Sequence, residues 1–235
     1  MQRYFAKGKN GNKFILLDTD IHHIKKVMRM NINDNVEVVF DGKVYLCKII
    51  DNYEIEIKEE IYENNELDIN ATIAIGMVSE QKFDLIIQKL TELGIKEIIP
   101  LKMERSIVKL TSDKIDKKIS RWNMICKEAS EQSHRNVIPI VHKPISLNEL
   151  INLEYDIKLV CSVKEKNNFI NKYLHSKSNC DKMIIVVGPE GGISPSEEDF
   201  LCNNGYKSVS LGKSVLRVET AAIYLGSIIN YSSME

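Results

Sequence analysis

The chain has 235 residues, of which 43% are hydrophobic and 28% charged, with a formal net charge of -1. Those values are ordinary for a soluble globular protein, and the length suits two domains with cores that need no staples. Five cysteines without a CxxC pair argue against a disulfide framework or a zinc site, and Met1 to Lys7 lacks the apolar core of a secretory leader. No apolar run reaches the length of a membrane span, so a reducing, cytoplasmic setting is expected. The near-neutral total hides local bias. Residues 1–30 carry seven Lys/Arg against two acids, residues 51–70 one Lys against eight acids, and residues 102–143 ten Lys/Arg against five acids. Two basic regions around an acidic one make either a one-sided basic surface or a set of solvated faces.

Along the first 70 residues the pattern reads mostly as β. Phe14 to Leu17 is a short apolar strand. Asp18 to Met30 reads as a short helix, with Ile21, Ile24, Val27 and Met28 at helical spacing. Val36 to Phe40 and Lys43 to Ile50 flank Asp41-Gly42, a pair that supplies the positive φ angles of a tight hairpin. Tyr53 to Ile57 alternates as a half-buried strand does. Short strands and tight turns of this kind predict a small barrel. The polar stretch Asn64 to Asp68 marks a boundary, giving domains over 1–70 and 71–235.

Beyond it strands and helices alternate. Thr72 to Val78 is a strand, and Gln81 to Leu93 a helix with Phe83, Ile86, Ile87 and Leu90 on one face. Gly94 follows where a helix end favours the left-handed conformation. Ile95 to Leu101 is the next strand. A long helix then runs from Asp113 to about His134, with Ile115, Ile119, Trp122, Cys126 and Ala129 on one stripe. Ile157 to Cys161 and Met183 to Val187 have the composition of buried strands, and a last helix spans about Glu219 to Tyr231. This α/β alternation predicts a mainly parallel sheet covered on both faces.

Two segments carry chemistry. In the first, the strand Met183 to Val187 runs into Gly188-Pro189-Glu190-Gly191-Gly192-Ile193 and then into Ser194-Pro195-Ser196-Glu197. Ser194 and Glu197 have capping-box spacing, with Pro195 at the first helical position. Open α/β sheets bind ligands beyond strand C-termini, and the glycines allow close approach of backbone to a ligand, although a plain tight turn has the same composition. The second segment, Val209 to Ala221, also joins a strand to a helix. Its Gly212-Lys213-Ser214 is not a Walker motif, because Lys207 stands where the first glycine is required, and no GxGxxG occurs. Arg217 and Glu219 at the helix start are, taken alone, an ordinary ion pair. His22, His23, His134, His142 and His175 share no metal-ligand spacing, and Trp122 reads as core.

In combination and order, these segments resemble the RsmE-type 16S ribosomal RNA uracil-N3 methyltransferases of the SPOUT superfamily. The likeness runs from Arg3-Tyr4-Phe5 and His23 to Arg29, through Lys82, Gln88 to Ile95, Glu104-Arg105-Ser106, Arg121-Trp122, Glu128 to Ser133 and Arg135, to the two loop segments. Tyr4 replaces a common Phe, and Ser79-Glu80-Gln81 replaces a turn that usually contains Gly.

The resemblance implies a PUA-like β-barrel that binds RNA, followed by a SPOUT α/β-knot domain with a deep trefoil knot. It implies a homodimer whose active sites use both subunits, acting on small-subunit ribosomal RNA, and S-adenosylmethionine as cofactor. The cofactor residues it implies are Gly188, Pro189, Glu190, Gly191 and Gly192 of the first loop, and Leu211, Gly212, Leu216, Arg217, Thr220 and Ala221 of the second. Arg217 is the candidate that stabilises developing charge on uracil. Three roles stay open to Glu190: base, neighbour of the sulfonium, or brace of the loop. Arg3, Lys25, Arg29, Lys82, Arg105 and Arg135 are assigned to RNA phosphates. Competing readings are a SPOUT enzyme acting on a ribose 2′-hydroxyl or another base, and a non-catalytic ribosome-assembly factor with the same fold.

Overall fold

The computed structural model describes residues 1–108, 112–174 and 182–234. His175 and Cys180 lie outside the described residues. The chain forms two compact units, one of Met1–Glu66 with Lys127–Val137, the other of Leu67–Cys126 with Ile138–Glu235.

In the first unit, β1 (Arg3–Phe5), β2 (Gly8–Asn10), β3 (Lys13–Ile15), β4 (Asn35–Phe40), β5 (Lys43–Ile49) and β6 (Ile55–Ile61) form one sheet in the order β1-β4-β5-β6-β3-β2. Only β1 and β4 pair in parallel. The sheet is rolled. The Ala6 N–H donates to the Val39 carbonyl, and the next residue, Lys7, donates to the Ile15 carbonyl, both at 2.9 Å. Adjacent Cα atoms lie about 3.8 Å apart, so strands from opposite ends of the order must meet there. The β4–β5 turn is the expected hairpin, with φ of 54° at Asp41 and 74° at Gly42. Tyr4, Phe14, Ile24, Val36, Val38, Cys47, Ile49 and Ile55 fill the interior.

Two expectations in this unit need correction. Helix α1 spans only Asp18–His22, and His23–Val27 is a π-helical turn in which Met28 N–H bonds the His23 carbonyl at 2.9 Å. The wider turn carries the apolar stripe off its face, so Ile24 is buried while Val27 and Met28 are 60% and 44% exposed. Tyr53 is not in a strand. It ends a turn in which Asn52 and Tyr53 have φ of 60° and 61°, and β6 begins at Ile55.

The first unit also encloses charge. Arg3 is fully buried, with its guanidinium paired to Glu37 at 2.8 Å and Glu63 at 3.0 Å and donating to the His134 carbonyl at 2.6 Å. Lys127 pairs with Asp20 and Glu131, each at 2.6 Å. Arg135 pairs with Glu66. Asn136 donates to the carbonyls of Glu63 and Gly42. Segment 127–137 is thus held by buried polar partners, as groups removed from water must be.

The second unit holds, in chain order, β7 (Asn70–Gly76), α2 (Glu80–Glu92), β8 (Glu97–Lys102), α3 (Ser112–Gln132, whose last turns belong to the first unit), β9 (Ile140–Val141), β10 (Ile145–Ser146), α4 (Leu147–Leu150), β11 (Ile157–Cys161), α5 (Asn171–Leu174), β12 (Lys182–Val187), α6 (Pro195–Asn203), β13 (Lys207–Val209) and α7 (Val218–Ser232). All its strand pairs are parallel, in the order β10-β8-β7-β12-β11-β13 with β9 also on β8. Alternate residues of β12 enter two cores. Met183, Ile185 and Val187 pack with Phe83, Ile86, Leu90, Trp122, Ala222 and Leu225, while Ile184 and Val186 pack with Leu150, Leu201 and Tyr206. Burial on both faces is why this strand is one unbroken apolar run. Gly94 has φ of 90° and ends α2 as expected. No helix among the described residues is long and apolar enough to cross a membrane.

Candidate functional site

The C-terminal ends of the parallel strands open onto a cavity of about 800 Å³. This is the edge at which open α/β sheets bind ligands. β12 leads into Gly188–Ile193, and the expected capping box starts α6: Ser194 Oγ accepts from Glu197 N–H at 3.3 Å, while Glu197 accepts from Ser194 N–H at 3.0 Å. β13 leads into Ser210–Arg217, and Arg217 is the N-cap residue of α7. Both loops line the cavity, together with residues 161–166 after β11, Lys82 of α2, and Arg105 after β8.

Close packing fixes the first loop. A Cβ on Gly188 would stand 2.7 Å from Ile193 Cγ1, one on Gly191 would stand 2.9 Å from Arg105 Cβ, and Gly192 has φ of 72°. Arg105 Nη1 donates to the Gly191 carbonyl at 3.2 Å. Glu190 Oε1 accepts from Lys82 Nζ at 3.2 Å and, at 3.5 Å, from Ser79 N–H at the start of α2. Glu190 Oε2 and Glu219 Oε2 are buried with no hydrogen-bond partner among the described residues. Both residues line the cavity. In the second loop Gly212 has φ of 139°, and its N–H donates to Ser210 Oγ at 3.3 Å. Arg217 is exposed at the cavity and forms no ion pair among the described residues. The Cys161 thiol also lines the cavity. Burial pushes it up to about 12, which leaves it a neutral thiol and a poor nucleophile.

An RNA methyltransferase domain family matches residues 65–230, and an RNA methyltransferase PUA domain family matches residues 16–60. The ribosomal RNA small subunit methyltransferase E of Mesomycoplasma hyopneumoniae is 35% identical over 96% of this chain and 97% of its own length. The Bacillus subtilis protein of that name is 36% identical over 99% and 97%. The chain belongs to the ribosomal RNA small subunit methyltransferase E family. Among solved structures, the family member from Neisseria gonorrhoeae, bound to S-adenosyl methionine, superposes with a TM-score of 0.86 at 28% identity, covering 98% of this chain and 97% of the other. A Legionella pneumophila methyltransferase in complex with SAM gives a TM-score of 0.88 at 26% identity, over 97% and 96%.

In this methyltransferase E family member, the expected cofactor residues Gly188, Pro189, Glu190, Gly191, Gly192, Leu211, Gly212, Leu216, Arg217 and Ala221 all line one cavity. Thr220 does not. It is exposed on α7 and off the cavity wall, because one position along a helix rotates a side chain about a quarter turn from its neighbour. The phosphate assignments divide. Arg3 and Arg135 are buried, with their guanidiniums held by glutamates of their own unit, so they are structural cations and not phosphate contacts. Lys25 and Arg29 are exposed on the first unit, with Lys25 Nζ 4.4 Å from the centre of the Tyr53 ring. Lys82 and Arg105 lie at the cavity, each tied to the first loop. Sequence reading missed the wall from Cys161 to Phe169. Its signal was present, since it follows a buried strand at the same edge, but it contains no glycine to draw attention.

Proposed function

We propose that this chain transfers a methyl group from S-adenosylmethionine to a uracil N3 of small-subunit ribosomal RNA, as a cytoplasmic homodimer. In this reading, residues 1–70 are a PUA-like barrel that binds RNA, and residues 71–235 are a SPOUT domain whose two loops belong to a trefoil knot. The observation that carries it is the meeting of Gly188–Gly192 and Leu211–Arg217 on one cavity wall at the strand ends. The activity for which the relatives are named and the cofactor bound in the Neisseria gonorrhoeae structure support it.

The residues present fit such a cofactor. The cavity is large enough for a ligand of that size. Two of the carboxylates on its wall, Glu190 and Glu219, each have one buried oxygen lacking a donor among the described residues, which suits a cationic ligand bearing N–H groups. The loop backbones and Leu216 and Ala221 would hold it. When bound, S-adenosylmethionine supplies an electrophilic methyl group on a positively charged sulfur.

Uracil N3 carries a proton and is a poor nucleophile until that proton leaves. The negative charge then spreads onto the flanking carbonyl oxygens. Arg217, which lines the cavity, would stabilise that charge, an effect of roughly 3 kcal/mol for one good donor. It is not the base, because a guanidinium keeps its proton. Holding nucleophile and methyl group in line supplies up to about 7–11 kcal/mol more.

The test is incubation of unmethylated small ribosomal subunits with labelled cofactor, followed by nucleoside analysis. Label on 3-methyluridine is expected. Label on a ribose 2′-hydroxyl or another base refutes the N3 assignment, and no label together with no cofactor binding refutes the enzyme reading.

A further inference from the structure

We propose that Lys82 is a positioning residue for the Glu190 carboxylate in the cofactor cavity, and not a contact to RNA phosphate. The proposal rests on the methyl-donor reading given above. Lys82 is the third residue of α2, where a cation opposes the positive end of the helix dipole, so helix energetics do not account for it. Its partner does. Lys82 Nζ and the Ser79 N–H at the helix start converge on the same oxygen, Glu190 Oε1. The other oxygen, Oε2, is buried with no partner among the described residues. A carboxylate so placed needs a countercharge close by.

The loop that carries Glu190 is closed by a hydrogen bond from the Gly192 N–H to the Pro189 carbonyl at 2.8 Å, but that bond does not hold the Glu190 side chain. Gly188, Gly191 and Gly192 give it conformational freedom, and glycine loses more of that freedom on ordering than other residues do. Two long side chains from elsewhere pin it. Arg105 holds the Gly191 carbonyl, and Lys82 holds the Glu190 side chain. Lys82 thereby keeps the loop in the conformation that receives the cofactor, which lowers the ordering cost of binding. The side chains of the pair are 36% and 20% exposed, so solvent screens it and its effect is moderate.

Calorimetric titration of the full chain with S-adenosylmethionine tests this. Lys82→Met and Glu190→Gln should each weaken binding about fivefold, Lys82→Arg should stay within about twofold, and the double variant should be no weaker than Glu190→Gln alone. Affinity of Lys82→Met for small-subunit RNA should keep the wild-type salt dependence, whereas a lost phosphate contact would flatten the slope by about one unit. Normal cofactor affinity in Lys82→Met overturns the proposal, as do losses that multiply in the double variant or a flattened salt slope. A wild-type chain that takes up no S-adenosylmethionine refutes the methyl-donor reading itself, and this proposal with it.

Discussion

Gly76, at the end of β7, lies so close to Pro189 that a Cβ on it would stand 2.5 Å from the proline nitrogen and from its Cδ. The contact sets how far the first cavity loop can settle toward the sheet. Gly76→Ala must push Pro189 outward, since the two nearest atoms are its backbone nitrogen and its rigid ring. Overpacking of this kind costs about 1–3 kcal/mol, so a lower melting temperature is expected together with a clear loss of S-adenosylmethionine affinity in calorimetry. Unchanged affinity in a folded variant would show that the loop does not depend on this contact.

Arg217 stands at the N-cap position of α7 without a side-chain capping hydrogen bond, and lines the cavity without an ion pair among the described residues. Its replacement by Ala leaves no buried carboxylate stranded, so folding should be preserved. Transfer of labelled methyl to RNA should fall at least about 100-fold. Cofactor binding should stay within about tenfold. Near-normal transfer would remove Arg217 from the chemistry.

Arg3 and Lys25 are expected to behave in opposite ways. Arg3→Met leaves Glu37 and Glu63 without their shared cation, and breaking a buried pair costs about 3 kcal/mol or more. Glu63 is about a third exposed, which keeps the loss near the lower end. Urea denaturation should reveal it. Lys25→Ala and Arg29→Ala should shift stability by less than about 0.5 kcal/mol and instead flatten the salt dependence of RNA binding.

The first unit should weaken in alkali. Burial, with the Glu131 and Asp20 carboxylates adding to it, raises the Tyr4 phenol well above its ordinary 10.0. Burial pushes the Cys47 thiol from 9.0 up to about 12. Burial works against the Lys127 ammonium, but the hydrogen bonds to Asp20 and Glu131 outweigh it and hold its pKa above 10.5. All three folded values lie above the unfolded ones. Their stabilisation is therefore complete below about pH 9 and drains away as pH climbs through the folded values. Denaturant midpoints for the first unit should fall between pH 9 and pH 11. A flat profile over that range would contradict the buried placement of these groups.

Local chemistry made much of the fold legible. Asp41-Gly42 dictates its own turn, Ser194 to Glu197 its own helix start, and the apolar run of β12 its burial on two faces. Less was legible where distance or geometry decides. Three-residue strands such as β1 and β13 are too short to show a period and exist because neighbours pair with them. The π-turn at His23–Val27 keeps helical composition while turning the stripe away. The buried roles of Arg3 and Arg135 depend on glutamates brought in from elsewhere in the chain, so their charge alone read as surface. Of the cavity, the glycine loops stood out because glycine marks strain. The wall after β11 did not, because ordinary polar residues line it.

The position of β12 has a consequence for how the chain is made. Its partners Asn70 to Ile75 of β7 are synthesised more than a hundred residues before Lys182 to Val187. Until then β7, which carries Ile73 and Ile75 and is buried in the folded chain, keeps the edge that β12 will cover unpaired in the crowded surroundings of translation. Such late closure makes refolding from denaturant slow and exposes the newborn chain to self-association, so yield should rise with slower synthesis or with a chaperone that shields strand edges.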